Sequence, residues 1–192
     1  IALGLSAIFA NNTAIAAQSP SAIKLSSQCP PSFIKVKNTC KLQTHYLQYA
    51  SLQGAGVGGL KTGLPKFRDG FSPEQIDLGR YLFFDPILSK DNSMSCASCH
   101  IPERGFSDGL ARSRGINNQE LPRNAPSLWN VGFLNKLFWD GRASSLEDQA
   151  QGPLYGFHDM GNTGEGMLKK LNAQAQYRRL FMLAYPDSKS GI

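Results

Sequence analysis

Cys96-Ala97-Ser98-Cys99-His100 is the run on which the reading of this 192-residue chain turns. Cys-x-x-Cys-His is the attachment signature of a c-type haem. Two thiols on one helical turn can each add across one of the two haem vinyl groups. The imidazole that follows then faces the iron from the same side. Two other readings stay open at this point. A zinc site needs a second ligand pair at close spacing, and the remaining cysteines, Cys29 and Cys40, lie upstream and far apart. A thioredoxin-type pair needs a strand before the motif, whereas Asp91-Asn92-Ser93-Met94-Ser95 reads as a polar loop.

The compartment agrees with haem. Residues 1–17 open on Ile1-Ala2-Leu3-Gly4-Leu5 and end on Ala14-Ile15-Ala16-Ala17. They read as the apolar region and small-residue cleavage site of a signal peptide that lacks its basic start. The run is too short for a membrane span, so export to the periplasm is expected, where a disulfide persists. Cys29 and Cys40 bracket a small loop that such a bridge would close. Net charge is +6, with lysines and arginines scattered rather than clustered. Nucleic acid is not an expected partner.

Residues 18–71 read as an N-terminal extension holding the disulfide loop, a short helix near Leu42–Leu52 and a glycine-rich stretch. A haem domain then runs over 72–192. Ser72-Pro73-Glu74-Gln75 starts a helix through a capping box, Ile76, Leu78, Leu82 and Phe83 form its apolar face, and Pro86 stops it. Residues 101–137 are rich in Gly, Pro, Asn and Ser and read as long loops, of the kind that wrap a cofactor. A second capping box, Ser144 to Glu147, opens a helix that Gly152-Pro153 is expected to end. Two further helices are expected from Glu165 to Leu171 and from Ala173 to Ala184. Strand signals are nearly absent. The expected fold is all-α, a cytochrome c-like haem domain with long loops.

The words around the motif are more specific than the motif itself. Leu78-Gly79-Arg80-Tyr81-Leu82-Phe83-Phe84-Asp85-Pro86 precedes it. Gly105-Phe106-Ser107-Asp108-Gly109, Arg123-Asn124-Ala125-Pro126-Ser127-Leu128, Phe138-Trp139-Asp140-Gly141-Arg142-Ala143, Leu146-Glu147-Asp148-Gln149-Ala150-Gln151-Gly152-Pro153 and Asp159-Met160-Gly161 follow in order. This series resembles the N-terminal, peroxidatic half of the bacterial di-haem cytochrome c peroxidases and their MauG-like relatives. The resemblance implies one haem c on Cys96, Cys99 and His100, with His100 as the proximal iron ligand. A second haem is expected in a longer protein of which this chain is a fragment, and the fragment is expected to be inactive alone.

The resemblance also implies roles for other residues. Gln149 matches the distal glutamine, and Asp159 stands where the family usually has a glutamate, which shortens the carboxylate's reach by one methylene. Trp139 matches the tryptophan between the two haems, and Asn124 a residue beside a calcium site. Ile101–Pro122 contains no histidine, so the loop offers no imidazole to block the iron and an open haem is expected. The implied substrate is hydrogen peroxide, the implied donor a small cytochrome c or cupredoxin, and a homodimer is a further expectation. Two other functions compete: MauG-like oxidation of a protein side chain, and a mono-haem electron carrier with Met160 as sixth ligand.

Overall fold

A hairpin, five helices and long ordered loops make up the computed structural model, which describes residues 23–43 and 70–188. Strand β1 (Phe33–Val36) pairs antiparallel with β2 (Thr39–Leu42), Lys35 opposite Cys40. Helices α1 (Pro73–Phe84), α2 (Cys96–Cys99), α3 (Leu146–Tyr155), α4 (Gly164–Ala173) and α5 (Ala175–Ala184) follow. The signal peptide, the glycine-rich stretch and most of the helix expected near Leu42–Leu52 lie outside the described residues, and Leu42 itself ends β2.

The molecule is mostly helical, but all-α is corrected by this small sheet. Its strands are only four residues each, too short to register as a pattern of alternation. Cross-linking stabilises them instead: Cys29 and Cys40 form a disulfide. Closing a loop that short restricts the unfolded chain by roughly 2–3 kcal/mol. The hairpin is mounted on the helices from two sides. Ser26 N–H donates to Asp77 Oδ2 at 2.8 Å, Cys40 N–H to the Phe71 carbonyl at 2.8 Å, and Arg179 Nη2 to the Ile23 carbonyl at 2.6 Å.

Helix α1 begins as its sequence dictates. Ser72 Oγ accepts the Gln75 N–H, and Gln75 Oε1 accepts the Ser72 N–H at 3.0 Å. It ends at Asp85, before Pro86, and the same Asp85 caps the next turn by accepting Ile87 N–H at 2.8 Å. Tyr177 Oη donates to the other oxygen of Asp85 at 2.5 Å, which ties α5 to the end of α1. That bond and burial together push the Tyr177 phenol well above its ordinary range.

The core is built by α1, α4 and α5. Leu78, Leu171, Tyr177, Leu180 and Ala184 are buried in one cluster, flanked by Leu82, Ile87, Leu88 and Phe181. Helix α4 also controls the approach to the Cys-x-x-Cys-His turn. Lys170 Nζ donates to the carbonyls of Ser89 and Lys90 and to Asn92 Oδ1, and buried Asn162 donates to the Leu88 carbonyl at 2.7 Å. Every proton of the ammonium is used to pin one loop.

Two boundaries differ from expectation. The cap of α3 is Ser145, whose Oγ accepts Asp148 N–H at 3.1 Å, while the Asp148 carboxylate accepts Ser144 N–H at 3.3 Å. The cap is thus shifted by one residue, and because the Asp148 carboxylate returns to Ser144 rather than to the cap's own N–H, the expected reciprocal box does not close. Proline does not stop α3 either: Pro153 lies inside it, and the helix runs on until Gly156 N–H closes on the Gly152 carbonyl at 2.8 Å. A proline here removes one N–H donor from the helix, and the ladder resumes beyond it. Leu180 is 1% exposed, so Leu180→Ala should lower stability by about 2–5 kcal/mol, measured as a urea midpoint at unchanged slope.

Candidate functional site

The Cys-x-x-Cys-His run is a single helical turn, α2, with His100 as its cap. Ser95 N–H donates to Ser98 Oγ at 3.0 Å, and His100 N–H returns to the Cys96 carbonyl at 2.9 Å. Residues 85–95, which lead into the turn, form a short 3-10 turn and bends rather than a strand, so the thioredoxin arrangement is not built. Cys96 and Cys99 are unbridged and half-buried. Burial pushes the Cys99 thiol up to about 11, with the charges of Asp108 and Asp159 adding to it, and burial raises Cys96 as well. A reactive redox pair needs the opposite, a depressed pKa. Among the described residues no three His, Cys, Asp or Glu side chains converge on a metal-sized site.

His100 is aimed by its backbone neighbours. Its Nδ1 lies 2.9 Å from the Phe106 carbonyl oxygen. A carbonyl can only accept, so Nδ1 carries the proton and Nε2 keeps the lone pair. That is the tautomer an iron ligand requires. The donor set therefore fits a haem c: two protonated thiols on one turn, and an imidazole whose free nitrogen is fixed by its other one.

Asp159 belongs to the same locality: Cys99 Sγ lies 3.6 Å from the Arg114 carbonyl, two residues before the Ile116 N–H that bonds the Asp159 carbonyl. Its carboxyl is half-buried, and burial pushes its pKa above the usual range against a smaller opposing effect of His158. Two glycines seat it. Gly115 lies so close to the His158 carbonyl that a Cβ would overlap it, and Ile116 N–H donates to the Asp159 carbonyl at 2.9 Å. At Gly156 the space of a Cβ is taken by Asp159 Oδ2 itself. Gln149 is half-buried on α3. Seven residues separate it from Gly156, so both lie on one helix face roughly 10 Å apart.

The other expected residues are placed differently. Trp139 is 85% exposed, with the Arg123 guanidinium 5.8 Å from its ring centre. Its neighbour Phe138 does the packing: the Phe138 ring covers Gly152 of α3 and carries Arg142 at 3.5 Å. Asn124 is exposed. His158 is exposed against the Phe157 ring, and Met160 is buried. Roles were not assigned from sequence to Asp108, Phe106, Gly115 and Gly156. Asp108 is 4% exposed, and its Oδ2 has no hydrogen-bond partner. The glycine-bracketed word 105–109 was the available signal for the first two.

A mostly helical fold around a Cys-x-x-Cys-His turn is the architecture of a cytochrome c-like domain. Residues 73–192 match the family described as di-haem cytochrome c peroxidase, and the chain belongs to that family. Methylamine utilization protein MauG of Methylorubrum extorquens is 42% identical over 114 residues, covering 59% of this chain and 32% of that protein. Cytochrome c551 peroxidase of Pseudomonas aeruginosa is 38% identical over 117 residues, 61% of this chain and 34% of that protein.

Among solved structures, a MauG-like protein associated with microbial copper homeostasis superposes with a TM-score of 0.62 at 34% identity. The match covers 71% of this chain and 41% of that one. The diheme peroxidase BthA of Burkholderia thailandensis gives 0.52 at 32%, covering 56% and 31%. The chain spans about a third of the length of these curated relatives. Haem c is the cofactor the family implies. Among the described residues no helix is long and apolar enough to cross a membrane.

The seat of Asp159 is directly testable. The backbone of Gly156 is acceptable to any residue, at φ −56°, so Gly156→Ala acts through contact alone. It should displace the carboxylate toward water and lower its raised pKa, read by NMR titration of Asp159.

Proposed function

We propose that this chain is the peroxide-reacting haem c domain of a periplasmic di-haem oxidoreductase, which reduces hydrogen peroxide to water with electrons from a small cytochrome c or cupredoxin. The observation that carries the reading is the packing of the Asp159 segment behind the Cys96–Cys99–His100 turn: Cys99 Sγ lies 3.6 Å from the Arg114 carbonyl, and the adjoining Gly115 and Ile116 are seated on the His158 and Asp159 carbonyls. Bound there, haem c would supply the iron at which the peroxide O–O bond is reduced by two electrons.

The chain's own residues would divide the remaining work. Cys96 and Cys99 would form thioethers, for which their raised pKa values keep the sulfurs protonated until addition. His100 would bind iron through Nε2. Asp159 Oδ would take the proton from one peroxide oxygen and return it to the departing one, which is general acid–base catalysis. The Gln149 amide would orient the peroxide. Calcium at Asn124 and a homodimer rest on the family resemblance alone.

A second reading keeps the peroxide step and draws electrons from a protein side chain. It is favoured by the 85% exposure of Trp139, which gives an indole on the surface a direct partner-facing position. Turnover with reduced cytochrome c separates the two: sustained oxidation of the donor supports the peroxidase, and its absence with a reactive haem supports protein oxidation.

The pH dependence has a definite sign. Asp159 must be ionised to accept a proton, and burial raises its pKa. The ionised form is therefore lost, as pH falls, at a higher pH than for an ordinary aspartate. The acid limb of the peroxide reaction should lie above that ordinary range. In the full-length holoprotein, Asp159→Asn should slow peroxide cleavage by about a hundredfold or more and abolish that limb. A low-spin haem indifferent to peroxide would overturn the peroxide reading, and haem still covalently attached in a Cys96→Ser, Cys99→Ser double variant would overturn the attachment.

A further inference from the structure

The carbonyl that fixes His100 sits in a backbone conformation that has to be held from outside. Gly105 and Phe106 are both left-handed, at φ +64° and +59°. A phenylalanine there is a genuine outlier, because its Cβ crowds the carbonyl. Such an outlier persists only where its surroundings over-determine it.

Part of the surroundings is local: Phe106 N–H donates to the Ile101 carbonyl at 2.9 Å, and the Phe83 ring meets that of Phe106 edge-on at 6.3 Å. The rest comes from a segment about twenty residues downstream. Ser127 Oγ donates to the Gly105 carbonyl at 2.6 Å, and Ser107 Oγ donates to the Ala125 carbonyl at 2.8 Å. The Trp129 indole meets the Phe106 ring edge-on, 5.8 Å between centres at 84°. Its Nε1 lies 3.4 Å from where a Cβ on Gly105 would be, so the indole lies against this turn. Trp129 N–H donates in turn to Ser127 Oγ at 3.2 Å. The three contacts bracket residues 105–107 on both sides. Trp129 is nonetheless 68% exposed. Burial of its own surface is not what places it there.

We propose that Ser127 and Trp129 are positioning residues for the proximal ligand: by clamping Gly105 and Phe106 they set the Phe106 O···H–Nδ1 bond of His100. This rests on the haem reading above. A histidine that donates strongly from Nδ1 is a more basic, more electron-rich ligand through Nε2. Such a ligand favours the oxidised iron and lowers the reduction potential. The clamp is thereby a potential-setting device on the proximal side, separate from the proton transfer at Asp159.

The test uses the full-length protein with haem attached. Two readouts are taken: the iron–histidine stretching band of the ferrous haem by resonance Raman, and the midpoint potential of that haem. Ser127→Ala and Trp129→Ala should both lower the stretching frequency and raise the potential. Trp129→Phe, which keeps a ring against Phe106, should stay near wild type. Loss of a single exposed hydroxyl leaves the fold intact, so Ser127→Ala alone decides the matter if Trp129→Ala does not accumulate. Wild-type frequency and potential in Ser127→Ala would overturn the clamp while leaving the haem assignment standing. A wild-type protein without covalent haem would overturn the assignment and the clamp together.

Discussion

One hydrogen bond, from His100 Nδ1 to the carbonyl of Phe106 at 2.9 Å, organises the functional half of this molecule. It chooses the tautomer, aims Nε2 and gives the loop that follows the Cys-x-x-Cys-His turn a reason for its shape. Within residues 101–137 there is no α-helix, only short turns and isolated bridges such as Ile101 to Ser107. The carbonyl is delivered by the backbone bonds of this turn together with side-chain contacts from the loop around Ser127. On the other side of the turn, the ammonium of Lys170 holds the loop at 89–92 by three acceptors. The site is suspended between a packed helical layer and a hydrogen-bonded loop layer.

The helical layer was readable because its rules are local. Ser72 and Gln75 cap each other three residues apart, and Leu78 and Leu82 repeat on one face of the same helix. The Cys-x-x-Cys-His run likewise declared its chemistry over five residues. What escaped was set by distant partners or by exceptions. The hairpin depends on a disulfide and on Asp77, and its strands are too short for alternation to show. Pro153 sits three residues from the end of α3, and the helix closes past it through the Gly156 N–H bond to the Gly152 carbonyl.

The candidate site divides the same way. Asp159 could be named from its neighbours Met160 and Gly161, but its seat on Gly115 could not, since that contact brings two distant stretches, 115–116 and 156–159, together. The Phe106 carbonyl was hidden for a related reason. Its left-handed backbone runs against the preference of its own side chain, and besides the local bond from Phe106 N–H to the Ile101 carbonyl it is held by the distant segment around Ser127. Trp139 is placed by the resemblance alone. Its exposure shows that Phe138 took the packing position instead.

The bridge between Cys29 and Cys40 also bears on how the four thiols are sorted during oxidation. Joining these two closes a separation of 11 residues. Joining Cys40 to Cys96 would close a loop roughly five times longer, at an extra entropic cost of about 1.4 kcal/mol, or roughly a tenfold bias toward the local pair. Cys96 and Cys99 share one helical turn and carry raised pKa values, which suppresses the thiolate needed for exchange. Loop length thus favours the Cys29–Cys40 couple over a long-range pairing with Cys96, and in the folded domain burial of Cys96 and Cys99 disfavours the thiolates that exchange would need.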